Sequence, residues 1–578
     1  MNTMRKNQKI FALLVISLCF FLVAITMSFT TTKPAGAITQ VASTIENDDG
    51  FYMDKGAQVR IPTTVQDGYD ATGIRFTVNL QADYVAQLNN TYKDVTFYSL
   101  IAVNGAEAVV PNTFTGENDT TVIDNVAMLK WAENDYGKLE SGWYKRHITP
   151  TNMQKGYDVE LTVRAVAKVT NTDDTVEYLY AKLNDNTRTM KAVALASYLD
   201  NADDPEYAYL NKYYGTSTEF DGVYAEANSG STVSFASDLT SVELSANAYA
   251  CVGATPVSLS NKVVDISSAN LELGETYNVT IFDGNNAYVK PATYVTQTID
   301  EASDLSVFAL TQENTANITG YYVVTKDIDA SGVTANQHTD SREGEWTYDY
   351  SFTGTFDGKG HTIIANADKG GLFGSLKGAT IINANFDLYL TGSARANTDK
   401  WPSGLAYEAY NSTISNVYAE LGVGTGFTTA SRTWALALIT NVDKTLEMSN
   451  VVVVNNDDFN SLTPNSNNWI GGALFYTDSA RGDIAPHNAK MSNVFVIAPE
   501  RCGANGLYVP MAGGNKTQIF ANNDTTGATD AQTQTGSTQA VYTKVTRYSN
   551  KSSLESSAAW AGLPDFIKTA INPSSANN

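Results

Sequence analysis

With 61 acidic against 38 basic residues among 578, the chain carries a net charge of −23 and has length for about three or four domains. That balance disfavours nucleic acid and anionic lipid as partners, because both are held by clustered Lys and Arg. Three cysteines in so long a chain exclude a disulfide-stapled scaffold.

Arg5, Lys6 and Lys9 precede an apolar run from Ile10 to Ile25, and Ala35-Gly36-Ala37 then forms a small-residue cleavage pattern. Positive charge holds the start of such a segment inside while a protease cuts beyond it. Residues 1–37 are therefore expected to be a signal peptide, cleaved at the motif of Ala35 and Ala37. The rival is an uncleaved anchor, for which the run is long enough. Lipidation at Cys19 is disfavoured by bulky Leu18 before it. The leader holds four basic residues and no acid, so the mature chain keeps 34 basic and 61 acidic residues, a net charge of −27. No sortase-type motif or apolar tail closes the sequence. The expectation is an extracellular protein, secreted or non-covalently associated with the cell surface, with no membrane insertion after cleavage. Cys251 and Cys502 then remain, as separate thiols or as a bridge. So few cysteines fit export from a Gram-positive bacterium.

Residues 38–50 form a polar, flexible lead-in. A first module is expected over 51–228. Ile74, Phe76, Val78 and Leu80 alternate with polar residues, the period of a half-buried strand. The same alternation runs from Val159 to Val169, with Thr175 to Leu183 as a hairpin partner across Asn171-Thr172-Asp173-Asp174. From Thr187 to Tyr214, Met190, Val193, Ala194 and Ser197 lie at helical spacing, so a closing helix is expected, interrupted near Asp203-Asp204-Pro205. Asn228-Ser229-Gly230-Ser231 marks a boundary. A small Ig-like β module follows over 229–297, with a turn at Asp283-Gly284-Asn285-Asn286.

After residue 298 the pattern becomes periodic. Ser415-Asn416-Val417, Ser449-Asn450-Val451 and Ser492-Asn493-Val494 recur, with Ile382-Asn383-Ala384 as a weaker first copy. A second series interleaves: Gly371-Leu372-Phe373-Gly374, Gly404-Leu405-Ala406, Ala435-Leu436-Ala437, Gly472-Ala473-Leu474-Phe475 and Gly506-Leu507-Tyr508. Repeats of roughly 33 residues are those of a solenoid. Asparagine tolerates a left-handed corner and can bond to an asparagine above it, with an inward apolar side chain next. The fold expected is mainly β: N-terminal β-sandwich-like modules, then a right-handed parallel β-helix over 298–540. Residues 521–540 read as a loop or linker. A C-terminal cap and tail over 541–578, with Trp560, Leu563, Phe566 and Ile567 as apolar contacts, is expected to cover the solenoid's open end.

Four segments sharpen this: Ile299 to Leu305, then Gly320 to Asp329, then Phe352-Thr353-Gly354-Thr355-Phe356-Asp357-Gly358-Lys359-Gly360-His361-Thr362-Ile363, then Gly371 to Gly374. Together they resemble the opening of right-handed β-helix modules in secreted bacterial proteins related to the GLUG-repeat surface proteins, over roughly 298–520. The resemblance implies a fold; proteins of many functions share it. Gly73-Ile74-Arg75-Phe76, Val163-Arg164-Ala165 and Thr187-Arg188-Thr189 are similar to an uncharacterised β module of secreted Firmicutes proteins.

Chemistry is sparse. None of His147, His338, His361 and His487 has metal-site spacing, so no metal or other cofactor is expected. Calcium stays open through Asp48-Asp49-Gly50, Asp173-Asp174, Asp203-Asp204 and Asp457-Asp458, although no EF-hand order is present. An enzyme on a β-helix face would need an acid with a cation, or two carboxylates. Asp478, Arg481, Asp483 and Lys490 in one inter-strand segment, and Glu500 with Arg501, are the candidates. Trp401, Trp434 and Trp469 fall near corresponding parts of successive repeats and could stack against sugar rings; core filling is the rival role. The expected function is a non-catalytic extracellular protein for adhesion or for binding a glycan or cell-surface component. The alternative is a carbohydrate-active β-helix enzyme, a polysaccharide lyase or glycoside hydrolase.

Overall fold

The computed structural model describes residues 47–60, 72–103, 120–123, 126–151, 157–204, 207, 210–308, 317–335, 351–367, 371–390, 393–394, 403–424, 428–429, 437–442, 445–456, 474–476, 489–499, 518–524, 531–533, 540–542 and 544–571. The fold is mainly β. It divides into two units: Met1–Ala225 with Gly230–Tyr294, and Glu226–Ser229 with Val295–Asn578.

In the first unit, Ile74, Phe76, Val78 and Leu80 build the strand Gly73–Gln81 and are buried, while Arg75 and Thr77 are partly exposed. The hairpin forms as its alternation requires: Leu161–Thr170 and Val176–Lys182 pair antiparallel from Thr170 opposite Val176. In the turn between them Asp174 takes φ 68°, and Asp173 accepts from the Thr175 N–H at 3.1 Å. These strands belong to one ten-stranded sheet. The closing helix is Met190–Asp200, followed by the short Asn211–Tyr214. Thr189 caps it, accepting from the Ala192 N–H at 3.0 Å. Ala82–Thr91 is a further helix that the sequence pattern does not announce; only Tyr84, Val85 and Leu88 are buried, too few for a clear stripe.

Eight shorter strands make a second sheet. Thr276–Asp283 and Asn286–Val295 pair antiparallel across the expected turn, with Gly284 at φ 56°. The second sheet has a core of its own, with Val233, Phe235, Val264, Val279 and Ile281 buried together, and it also contributes to the core of the first sheet. Cys251, Phe282, Ala287 and Val289 from the second sheet join Phe76, Val163, Val193 and Tyr213 in one apolar cluster. Composition marks the linker at 228/229, but which faces bury one another is decided by contacts far apart in sequence.

In the second unit, Gln297–Ile299, Tyr321–Val324, Thr355–Asp357, Thr380–Leu390, Ser412–Val423, Leu446–Asn455 and Ala489–Pro499 pair in succession, all parallel. A separate parallel sheet runs Ser375–Lys377, Ser403–Tyr410, Ala437–Val442 and Leu474–Tyr476. The repeats land in columns. Ile382, Ser415, Ser449 and Ser492 are successive partners, as are Ala384, Val417, Val451 and Val494. The second series needs a shift: Ala406 pairs with Ile439, two residues beyond the Ala437 that the sequence alignment placed there. Leu405 and Leu438 are both fully buried.

The motif residues of the β-helix resemblance serve the core. Phe352, Phe356 and Phe373 are fully buried and pack on Phe308, with ring centroids 5.0–5.5 Å apart. A Cβ on Gly354 would lie 2.2 Å from the Gly320 carbonyl oxygen, so the close approach of successive strands requires glycine.

Two expectations about the C-terminal part change. Gln518–Asp524, read as part of a linker from residue 521, is a strand; it pairs antiparallel with Ala489–Pro499 and with Lys544–Tyr548. These antiparallel strands cover the end of the parallel ladder. The helices Lys551–Glu555, Ala558–Ala561 and Asp565–Ile571 instead pack on its flank. Leu554, Trp560, Leu563 and Ile567 bury against Tyr418, Val452, Phe495 and Ile497. Those four sheet residues alternate with core-facing Val417, Val451, Val494 and Val496, so the outer face is apolar here and needs a cover.

Candidate functional site

Asp478, Arg481, Asp483, Glu500, Arg501, Trp401, Trp434, Trp469, Cys502, His338, His487 and the cleavage residues Ala35 and Ala37 lie outside the described residues. Lys490 is exposed and pairs with Glu447 on the neighbouring strand at 2.6 Å. His361 lies 3.3 Å from Asp327, and His147 lies 3.1 Å from the Thr77 hydroxyl, where burial holds its pKa below the usual value. Among the described residues no three His, Cys, Asp or Glu side chains gather as a metal site. Cys251 is a buried free thiol whose pKa burial raises. No helix among the described residues is long and apolar enough to cross a membrane.

Two features stand out that sequence reasoning missed. The first is a carboxylate pair in the second unit. Asp387 and Glu420 are direct partners on adjacent parallel strands. Tyr389 donates to Asp387 Oδ2 at 3.2 Å, and Tyr418 donates to Glu420 Oε2 at 3.0 Å. Burial, and secondarily the charge of Glu420, push the Asp387 carboxyl up to about 6. Paired carboxylates with one raised pKa are what glycosidic cleavage uses. Here, however, Asp387 Oδ1 is shut from solvent without a partner, and Oδ2 is held by a phenol. That arrangement makes Asp387 a poor proton donor to any external substrate. Only the stacking of consecutive repeats brings the two acids together.

The second feature is a cleft of about 510 Å³ in the first unit. Its walls come from four segments: Ala57–Val59, the helix Met190–Asp200 with Asn201 and Tyr207, the turn Gly253–Ala254, and the strand Thr276–Asp283. The helix wall is pinned from its N-terminal end. Arg188, only 3% exposed, pairs with Asp185 at 3.1 Å. Lys191, 1% exposed, donates to the Gly284 carbonyl, pairs with Asp158 at 3.0 Å and lies 5.5 Å from the rings of Tyr157 and Phe282. Thr187-Arg188-Thr189 thus anchors a helix. Along the cleft run the amides of Gln58, Asn201 and Asn278, the hydroxyls of Ser197 and Thr276, and the ring of Tyr207. Asp200 is the one charged side chain among the described lining residues. Such a surface can exchange hydrogen bonds with a neutral ligand and offers nothing to neutralise an anion.

The chain matches no family model, no curated protein and no solved structure.

Proposed function

We propose that the chain is a non-catalytic extracellular protein that binds a glycan or another cell-surface component, and that residues 298–540 form a right-handed β-helix of the GLUG-related kind. One observation carries the reading: the periodic asparagine column. Asn493 donates from Nδ2 to Asn450 Oδ1 at 3.3 Å, Asn450 to Asn416 at 3.0 Å, Asn416 to Asn383 at 3.1 Å, and Asn383 to Asp357 Oδ1 at 3.1 Å. The four asparagines all take left-handed φ values of 52–55°. Every member is used to hold one strand on the next, as a scaffold requires and a reaction does not. The leader-like start and the acidic balance support export and solubility outside the cell.

The mature protein, immobilised and exposed to extracellular material from its own culture, should retain a polysaccharide or surface component. Retention of nothing would sink the binding reading. Turnover of a polysaccharide that disappears with Asp478→Asn or Arg481→Ala would replace it with the enzymatic one.

A further inference from the structure

We propose that the cleft of the first unit is a binding site for a neutral oligosaccharide; this rests on the reading of the chain as a glycan-contacting protein and names a site and ligand class for it. Its volume of about 510 Å³ falls within the roughly 300–1,000 Å³ typical of small-ligand sites. The lining excludes the other common ligand classes. An acidic sugar, a nucleotide or a phosphorylated ligand would meet no Lys, Arg or His among the lining residues and would face Asp200. A purely apolar ligand would leave the amides of Gln58 and Asn278 without partners.

A neutral sugar satisfies all of them. Adjacent ring hydroxyls each offer a donor and an acceptor, and a carboxamide offers both in one plane. The carboxylate of Asp200 adds a strong acceptor. Asn201 is oriented in advance, its Nδ2 donating to the Ser197 carbonyl at 2.8 Å. The ring of Tyr207 supplies apolar surface on which the C–H face of a pyranose can lie. The wall is preorganised, since Thr189, Arg188 and Lys191 fix the helix that carries Ser197 and Asp200.

The test uses the full mature chain and isothermal titration with cello-, malto-, manno-, xylo- and chito-oligosaccharides, with oligogalacturonate as the anionic probe. At least one neutral series should bind and oligogalacturonate should not. Asn278→Ala and Gln58→Ala should each weaken binding by about tenfold, the loss of one or two hydrogen bonds. Thr276 is exposed at the lining, so Thr276→Trp should block the cleft while leaving the thermal unfolding profile unchanged. Neutral oligosaccharide binding that survives Thr276→Trp would overturn the site, as would binding of oligogalacturonate alone. If the wild-type chain retains extracellular material but Thr276→Trp retains as much, the site fails and the broader reading stands. If the wild-type chain retains nothing and binds no sugar, both fail.

Discussion

Within the first unit, buried side chains that carry charge are matched one at a time: Arg188 with Asp185, Lys191 with Asp158, Lys290 with Asp238. In the second unit the recurring polar groups are neutral and matched in series, asparagine to asparagine along one column that ends on the buried carboxylate of Asp357. A non-repeating sheet packing has no symmetry to exploit, so each buried cation needs its own partner, and losing that partner strands a charge. A stacked ladder distributes the same task over identical small bonds, and losing one leaves the rest in place. The first arrangement should be brittle at single positions and the second tolerant.

The sharpest way to break this comparison is Asp238→Ala. It leaves Lys290, 3% exposed, with the Ser234 carbonyl and the ring of Phe235 but no counter-charge. The expected loss is about 3–5 kcal/mol, read as an early shift of the first transition in urea unfolding. Asp238→Ala combined with Lys290→Met should recover much of it. Next is Asn416→Ala, which removes both the donor to Asn383 and the acceptor for Asn450 and places alanine at φ 55°. A loss of about 2 kcal/mol is expected, with Asn493→Ala, at the ladder's last bond, costing roughly half as much. A larger loss at Asn416 than at Asp238 would reverse the contrast.

The smallest effect tests the pairing of Asp387 with Glu420. The Asp387 carboxyl titrates at about 6 when folded, against an ordinary value of 3.8. Between these values the folded state holds more protons than the unfolded state. Stability should therefore rise as pH falls through 6 and level off near 4. Asp387→Asn should remove that slope and stabilise the chain at pH 7 by about 1 kcal/mol, after allowance for solvent screening. A pH-independent wild type between 4 and 7 would contradict it.

What was legible in the sequence followed periodicity. Ser-Asn-Val recurs because each copy occupies the same corner, so register could be read from residues alone, and the alternation of Leu161–Thr170 was equally plain. Where the apolar pattern was thin, reading stopped. Ala82–Thr91 buries only three side chains, and Gln518–Asp524 is polar enough to pass for linker. The cleft was invisible because its four walls are far apart in the chain and contain no charged motif. Asp387 and Glu420 were overlooked for a related reason: each looks like an ordinary surface acid until the repeats are stacked. The tryptophans and the Asp478 cluster, chosen for their chemistry, fall outside the described residues.

The asparagine column also bears on how such a chain can change in length. Its asparagine-to-asparagine bonds join residues 33, 34 and 43 positions apart, yet the corner and its partner are the same each time. Segments between corners can therefore grow or shrink without disturbing the stack. A whole repeat can be duplicated or lost, since each asparagine gives to the one before and receives from the one after. Only Asp357, where the donations end, is tied to its place. The column works as a ruler with movable spacing, and new sequence can be hung between its marks while the core stays as it was.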